Sequence, residues 1–205
     1  MSKIKLTYFD FDGGRGEVAR LALRLGGMEF EDERIGFKDW AQRREQMPFR
    51  AIPVLSVDGK VLTQSNTINR YLGRLTGLYP KDDWQAALCD EAMDAVEDLD
   101  QQIGPTIGMD DAAKKKAREA LAAGPLPRYL EQLNNRLKAA GGEWVAGGQM
   151  SVADLKVWML VRWLRSGVLD HIPKDIVDRY APLLVKHAER LAAQPKIVAY
   201  YASRK

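Results

Sequence analysis

Residues 52–72 read IPVLSVDGKVLTQSNTINRYL, and the order of elements within them decides the fold. Val54-Leu55-Ser56-Val57 and Lys60-Val61-Leu62-Thr63 are short β-type runs on either side of Asp58-Gly59. An Asp-Gly pair between apolar runs supplies the two positive-φ positions of a tight hairpin turn. Ser65 is then placed to cap a helix carrying Ile68, Tyr71, Leu72 and Leu75. The stretch therefore predicts β-β-α. Pro53 has no N–H to give to a ladder, so it belongs at the start of its strand or on an edge. The Ile52–Pro53 bond has two readings. As a trans bond it only begins the strand. As a cis bond it turns the amide and carbonyl of Ile52 outward, where they can pair with a peptide-like ligand as an added strand would.

Working back from this stretch, Ile4, Leu6 and Tyr8 alternate with Lys5, Thr7 and Phe9, which is strand spacing. Val18, Leu21, Ala22 and Leu25 follow helical spacing, and Gly26-Gly27 ends that helix. A second strand is expected over 28–35, followed by an irregular stretch holding Trp40, Arg43, Arg44 and Pro48. The order β-α-β, connector, β-β-α is thioredoxin-like.

Working forward, Leu78 to Asp83 reads as a linker, and beyond it the pattern is helical. Helices are expected over 86–103, 112–121, 127–140, 150–166, 174–180, 183–193 and 196–202. Gly104-Pro105, Gly124-Pro125, Gly141-Gly142 and Gln194-Pro195 punctuate them. Ser151-Val152-Ala153-Asp154 resembles a capping box with Asp in the Glu/Gln position, and is read as structural. It starts a helix whose Val152, Leu155, Trp158, Met159 and Trp163 form a buried stripe.

The 205 residues suffice for one large domain or two small ones. A hydrophobic content of 46% with 29% charged residues belongs to a soluble globular protein. The net charge of +3 is too small and scattered to argue for nucleic acid. No apolar run reaches the roughly 18 residues of a membrane span. Met1-Ser2-Lys3 runs directly into a strand, so no signal peptide is expected. The single cysteine, Cys89, excludes an internal disulfide and fits a reducing compartment, so the cytoplasm is the expected location. Cys89 itself is read as a packed or semi-exposed thiol and not as a nucleophile. His171 and His187 stand far apart without neighbouring ligands and are read as structural or solvent-facing, so no metal is expected. Gln64-Ser65-Asn66 is a candidate binding site. A serine at a helix N-terminus offers its hydroxyl and free amides to an anion. The alternative reading is that Ser65 only caps its own helix, which leaves Gln64 unexplained.

The stretches LTYF at 6–9, RGE at 15–17, DW at 39–40, PF at 48–49, IPVL at 52–55, VDG at 57–59, QSNTINRYL at 64–72 and GGQMSVADL at 147–155 occur in this order. In that order and spacing they resemble the cytosolic glutathione S-transferases. Within that family the chain is most similar to the sigma class, which includes glutathione-dependent prostaglandin D synthases and S-crystallins. The resemblance spans essentially the whole chain. It implies an α/β plus all-α fold: a thioredoxin-like glutathione-binding domain over 1–77, a linker over 78–84, and a helical-bundle domain over 85–205.

By the same resemblance Tyr8 is the catalytic residue, its hydroxyl donating to the sulfur of glutathione. A free thiol has a pKa of about 8.5, and a hydrogen bond to the charged form lowers it. Arg15 lies nearby, where a cation favours thiolate. Ile52, beside Pro53, pairs through its backbone with the cysteinyl part. Gln64 and Ser65 hold the γ-glutamyl end, while Trp40 and Arg44 meet the glycyl end. Asp98 reaches the ligand of the partner subunit in a homodimer, and Phe49 is the candidate anchor. The co-substrate is a small hydrophobic electrophile, lodged against Phe9, Ile103, Ile107 and Met109. Isomerase or peroxidase chemistry on the same site, and a non-catalytic binding role, are the alternatives. The turn FDFDGGRGE at 9–17 departs from the family pattern in carrying Asp10, Asp12 and an added glycine. Carboxylates facing the sulfur would oppose thiolate formation.

Overall fold

The computed structural model describes residues 2–204. They form two compact units. The first joins the residues up to Tyr79 with those from Pro195 onward, and the second is Pro80–Gln194. The four-strand sheet with its helices and the helical second unit have the architecture expected of a thioredoxin-like domain and a helical domain.

The first unit is built on β1 (Ile4–Phe9), which pairs in parallel with β2 (Glu31–Ile35) and antiparallel with β3 (Val54–Val57). β4 (Lys60–Leu62) closes the sheet in the order β2-β1-β3-β4. The hairpin turn is as the sequence predicts: Asp58 and Gly59 have φ of 50° and 81°. Because β1 is central, Leu6, Thr7 and Tyr8 are all buried, and strict alternation gives way to burial on both faces. The expected strand over 28–35 begins only at Glu31. The reason is that the Met28 amide still closes the end of α1 (Gly14–Leu25) by donating to Leu23 O at 2.9 Å. β2 is an edge strand and correspondingly polar, with only Ile35 buried. Burial raises its Glu33 carboxyl, but hydrogen bonds from Thr7, Arg43 and Lys5 outweigh that and hold it down at about 2.

After β2 come the short helix α2 (Trp40–Arg43) and two 3₁₀ turns that end at Arg50. The last helix of the sheet motif, α3 (Ser65–Thr76), packs against α1. Gln64, not Ser65, occupies its N-cap position.

In the second unit α4 (Asp83–Ile103) starts three residues before the expected 86, because the Asp82 carboxylate accepts from the Gln85 amide and caps it. α5 (Asp111–Ala123), α6 (Pro125–Ala139), α7 (Val152–Arg165), α8 (Ile176–Tyr180) and α9 (Pro182–Ala192) follow. α7 is the central helix, buried at every position from Val152 to Val161, with Trp163 half-buried. A lysine on such a helix needs a partner, and Lys156 finds the Glu97 carboxylate at 2.7 Å. Cys89 is buried, and burial pushes its thiol up to about 11, as befits a packed side chain. His171 is exposed.

α10 (Pro195–Ala202) clusters in space with the first unit, while in sequence it continues the helical run expected over 85–205. It packs on α1, and Lys196 donates to Leu25 O at 2.9 Å. Helical periodicity marks α10 as a helix but carries no information about which unit its apolar face meets.

Asp154 holds the start of α7. Its carboxylate accepts from the amides of Val145 and Ser151 at 2.8 Å, from the Ser151 hydroxyl at 2.7 Å, and lies 2.8 Å from His187 Nε2. All of these contacts are buried. Replacing Asp154 by Ala leaves two buried amides and the His187 ring without their acceptor. We predict that Asp154→Ala lowers the unfolding free energy by about 3 kcal/mol. Urea denaturation of the two proteins measures this, and a loss below about 1 kcal/mol would contradict the role.

Candidate functional site

The sheet register lines up three candidate residues. Thr7 pairs with Val54, and Leu55 with Leu62. Continued to the strand ends, this register brings Pro53 opposite Tyr8 and Gln64 opposite Pro53. The exit of β1, the entry of β3 and the exit of β4 therefore meet at one end of the sheet. The Ile52–Pro53 bond there is cis. Ile52 is half-buried and Pro53 buried. Gln64 is exposed and has a φ of 68°, unusual for a residue with a side chain. Ser65 follows it, buried, as the first residue of α3.

Tyr8 is 6% exposed. Its ring can lie where it does because Gly16 has no side chain: a Cβ at that position would overlap the ring. A Cβ at Gly14 would fall 2.6 Å from Tyr8 Oη, and Gly14 also has a φ of 67°. The glycine-rich turn thus lets backbone approach the phenol. The Arg15 amide donates to Tyr8 Oη at 3.0 Å. That amide belongs to the first turn of α1, where unsatisfied N–H groups and the helix dipole favour negative charge. The phenol oxygen accepts in this bond, and the same hydroxyl carries one O–H donor.

Around Tyr8 lies an aromatic group. Phe9 meets Tyr8 edge-on at 5.5 Å, Trp40 edge-on at 5.3 Å and Phe37 in a stack at 4.8 Å between centroids. Phe11 joins at 5.8 Å from both Tyr8 and Phe37. Phe37 is largely exposed, so the group presents an apolar shelf to solvent. Arg44 is exposed, four residues beyond Trp40 on the same connector.

The remaining expected site residues lie in the second unit. Asp98 is exposed and accepts from the Tyr129 hydroxyl at 3.0 Å, holding that phenol above its ordinary range. Ile107 and Met109 are exposed, but Ile103 is fully buried. Ile103 is therefore part of the helical core and offers no surface to a ligand.

Arg20 escapes the sequence reading, and it organises the region. Its side chain is fully buried. It donates to Phe9 O at 2.9 Å, Phe11 O at 3.1 Å, Asp32 Oδ1 at 2.8 Å and Glu17 Oε2 at 3.2 Å. Burial pushes the Glu17 carboxyl up, against the pull of Arg20. The available signal was a charged pair at i, i+3 on the apolar side of α1, among Val18, Leu21 and Ala22. Among the described residues no group of three or more His, Cys, Asp or Glu side chains is arranged to hold a metal ion, and no helix is long and apolar enough to cross a membrane.

Two family models match the chain: the N-terminal domain of glutathione S-transferase over residues 4–74 and the C-terminal domain over 97–204. Glutathione S-transferase 1 of Ascaris suum is 32% identical over 209 residues, covering 100% of this chain and 98% of the relative. The structure of prostaglandin synthase D of Nilaparvata lugens superposes with a TM-score of 0.87 at 32% identity, covering 99% of each chain. A monomeric glutathione S-transferase of the hookworm Necator americanus superposes with a TM-score of 0.85 at 28% identity, covering 99% of this chain and 98% of its own.

The close approach at Gly16 is directly testable. Gly16→Ala forces the buried Tyr8 ring to move, and we predict a loss of about 1–3 kcal/mol in unfolding free energy. Wild-type stability in the variant would show that the ring tolerates the added methyl.

Proposed function

The chain belongs to the glutathione S-transferase family, and we propose that it activates the thiol of glutathione as a thiolate at Tyr8 and conjugates it to small hydrophobic electrophiles. The observation that carries this reading is the Tyr8 hydroxyl held at the N-terminus of α1 by the Arg15 amide, 3.0 Å away. A phenol has a pKa near 10 and stays a donor at neutral pH. Donation to sulfur favours the anion, and so do the first-turn dipole and the Arg15 charge. The thiolate then attacks the electrophilic carbon. The new C–S bond takes the sulfur's electron pair as a leaving group or an adjacent π bond accepts electrons from that carbon. The protein's task is to hold the two reactants in line.

In this reading the cis Ile52–Pro53 segment pairs through the Ile52 backbone with the cysteinyl part of glutathione. Gln64 and Ser65 receive the γ-glutamyl end at the start of α3. Trp40 and Arg44 receive the glycyl end, with Arg44 attracting its carboxylate. The electrophile lies against Phe9. We assign the chain to a sigma-like class, with a cytoplasmic detoxifying role. The likeness to a prostaglandin synthase of Nilaparvata lugens favours a second reading on the same site, a glutathione-dependent isomerase. A panel of electrophiles and endoperoxides compared at equal glutathione distinguishes the two.

We also propose a homodimer in which Asp98 reaches the partner's ligand. Phe49 is 78% exposed and sits at a φ of 54°, directly before Arg50 at 50°. An apolar ring presented on a strained turn suits an anchor for a partner's pocket.

Tyr8→Phe removes only the hydroxyl. It should cut conjugation of a chlorodinitrobenzene-type substrate by about tenfold or more while glutathione binding persists. Unchanged turnover would refute the assigned role. Light scattering on a sizing column should give a two-chain mass for the wild type and a lower one for Phe49→Asp. A one-chain mass for the wild type removes the dimer from the proposal.

A further inference from the structure

The turn that follows Tyr8 carries two acids, Asp10 and Asp12, next to a proposed anion site. Yet both are met by guanidinium groups from elsewhere in the first unit. Arg204, just beyond α10, places Nε 2.8 Å from Asp12 Oδ1 and Nη2 3.5 Å from Asp10 Oδ1. Arg34 of β2 places Nη1 3.3 Å from Asp10 and 3.7 Å from Asp12. Arg34 is in turn held by Asp32 Oδ2 at 2.8 Å and donates to Tyr200 Oη at 3.2 Å. Burial, with Glu17 next in effect, pushes the Tyr200 phenol up to about 12, so it remains neutral.

We propose that Arg204 and Arg34 are positioning residues for the thiolate chemistry: they neutralise Asp10 and Asp12 and so keep the potential beside Tyr8 favourable to an anion. The inference rests on the reading of Tyr8 as the partner of the sulfur.

Proximity makes the effect measurable. Gly14 approaches Tyr8 Oη so closely that a Cβ there would lie 2.6 Å from it. Asp12 is two residues earlier, so its Cα lies within about 11 Å of the hydroxyl. That is close to the Debye length of about 10 Å at 0.1 M salt, a range over which an exposed charge still acts. The charged and titratable groups facing the turn come from each element packed on it. Asp32 and Arg34 come from β2, Glu17, Arg20 and Arg15 from α1, Tyr8 from β1, and Tyr200, Tyr201 and Arg204 from the C-terminal segment. Glu17 is paired with Arg20, and Arg20 with Asp32. The acids on the turn itself depend on Arg34 and Arg204, and Arg204 is the more peripheral of the two. Removing it leaves a net negative charge beside the sulfur while the buried pairs stay intact.

The test reads the pKa of bound glutathione, from thiolate ultraviolet absorbance and from the pH profile of kcat/KM at low ionic strength. Arg204→Gln should raise that pKa by about half a unit. Asp12→Asn, with Arg204 kept, should lower it by about the same amount. The double variant should return close to the wild-type value, as should Arg204→Lys. A merely structural role moves stability but does not produce shifts of opposite sign. Unshifted single variants, or shifts of the same sign, overturn the proposal. Should Arg204→Gln fold poorly, Asp12→Asn decides alone. Tyr8→Phe run in parallel separates the two failures: if it too leaves the pKa unmoved, the reading of Tyr8 is what has failed.

Discussion

One buried guanidinium supports the architecture of the first unit. Arg20 has no exposed surface and offers five N–H donors in a fixed plane. A charge in that position is tolerated only if its donors are met. Four of the five are met, by two carboxylates and two main-chain carbonyls, from α1 itself, from β2, and from the end of β1 with its turn. The guanidinium's geometry therefore ties three segments together. The carbonyls it grips belong to Phe9 and Phe11, which flank the departure of the chain from Tyr8. Its guanidinium carbon also lies 5.6 Å from the centroid of the Tyr8 ring. The position of the phenol follows from that grip and from the bare face of Gly16.

The second unit solves a similar problem with the opposite charge. Asp154 is a buried carboxylate that satisfies the start of α7 and the loop before it, and it also meets the His187 ring from α9. α4, α8 and α9 all pack against α7, so its entry point fixes a large part of the helical core. In both units a single buried ionisable side chain with several partners specifies how elements distant in sequence meet. Hydrophobic burial supplies most of the stabilisation but little directional information. The polar hubs supply the direction.

The charge on the Tyr8 turn follows a related rule at the surface. Asp10 and Asp12 look unfavourable beside the proposed thiolate when only the linear chain is considered. In three dimensions they face Arg34 and Arg204, one 24 and the other 194 residues from Asp10. The local field is set by the group of charges that the fold assembles.

Much of this protein could be read from the chain alone. The Asp58-Gly59 hairpin, the helix ahead of Gly26, the proline at the head of β3 and the capping box at Ser151–Asp154 are local codes. Each depends on φ preferences or on contacts within a few residues, so each is visible in a short window. Tyr8, Gln64 and Ser65 could be picked out because their order and spacing resemble a known pattern. The role of Arg20, the burial of Ile103, the placement of α10 with the first unit and the neutralisation of Asp12 could not. Each of these is settled by side chains that meet across tens to nearly two hundred residues. Periodicity records which face of an element is apolar, but not which partner covers it. The sequence by itself determined most of the elements and the family to which the chain belongs. The tertiary structure decided which charges are paired and which apolar surfaces are buried, because burial and pairing are properties of neighbours in space.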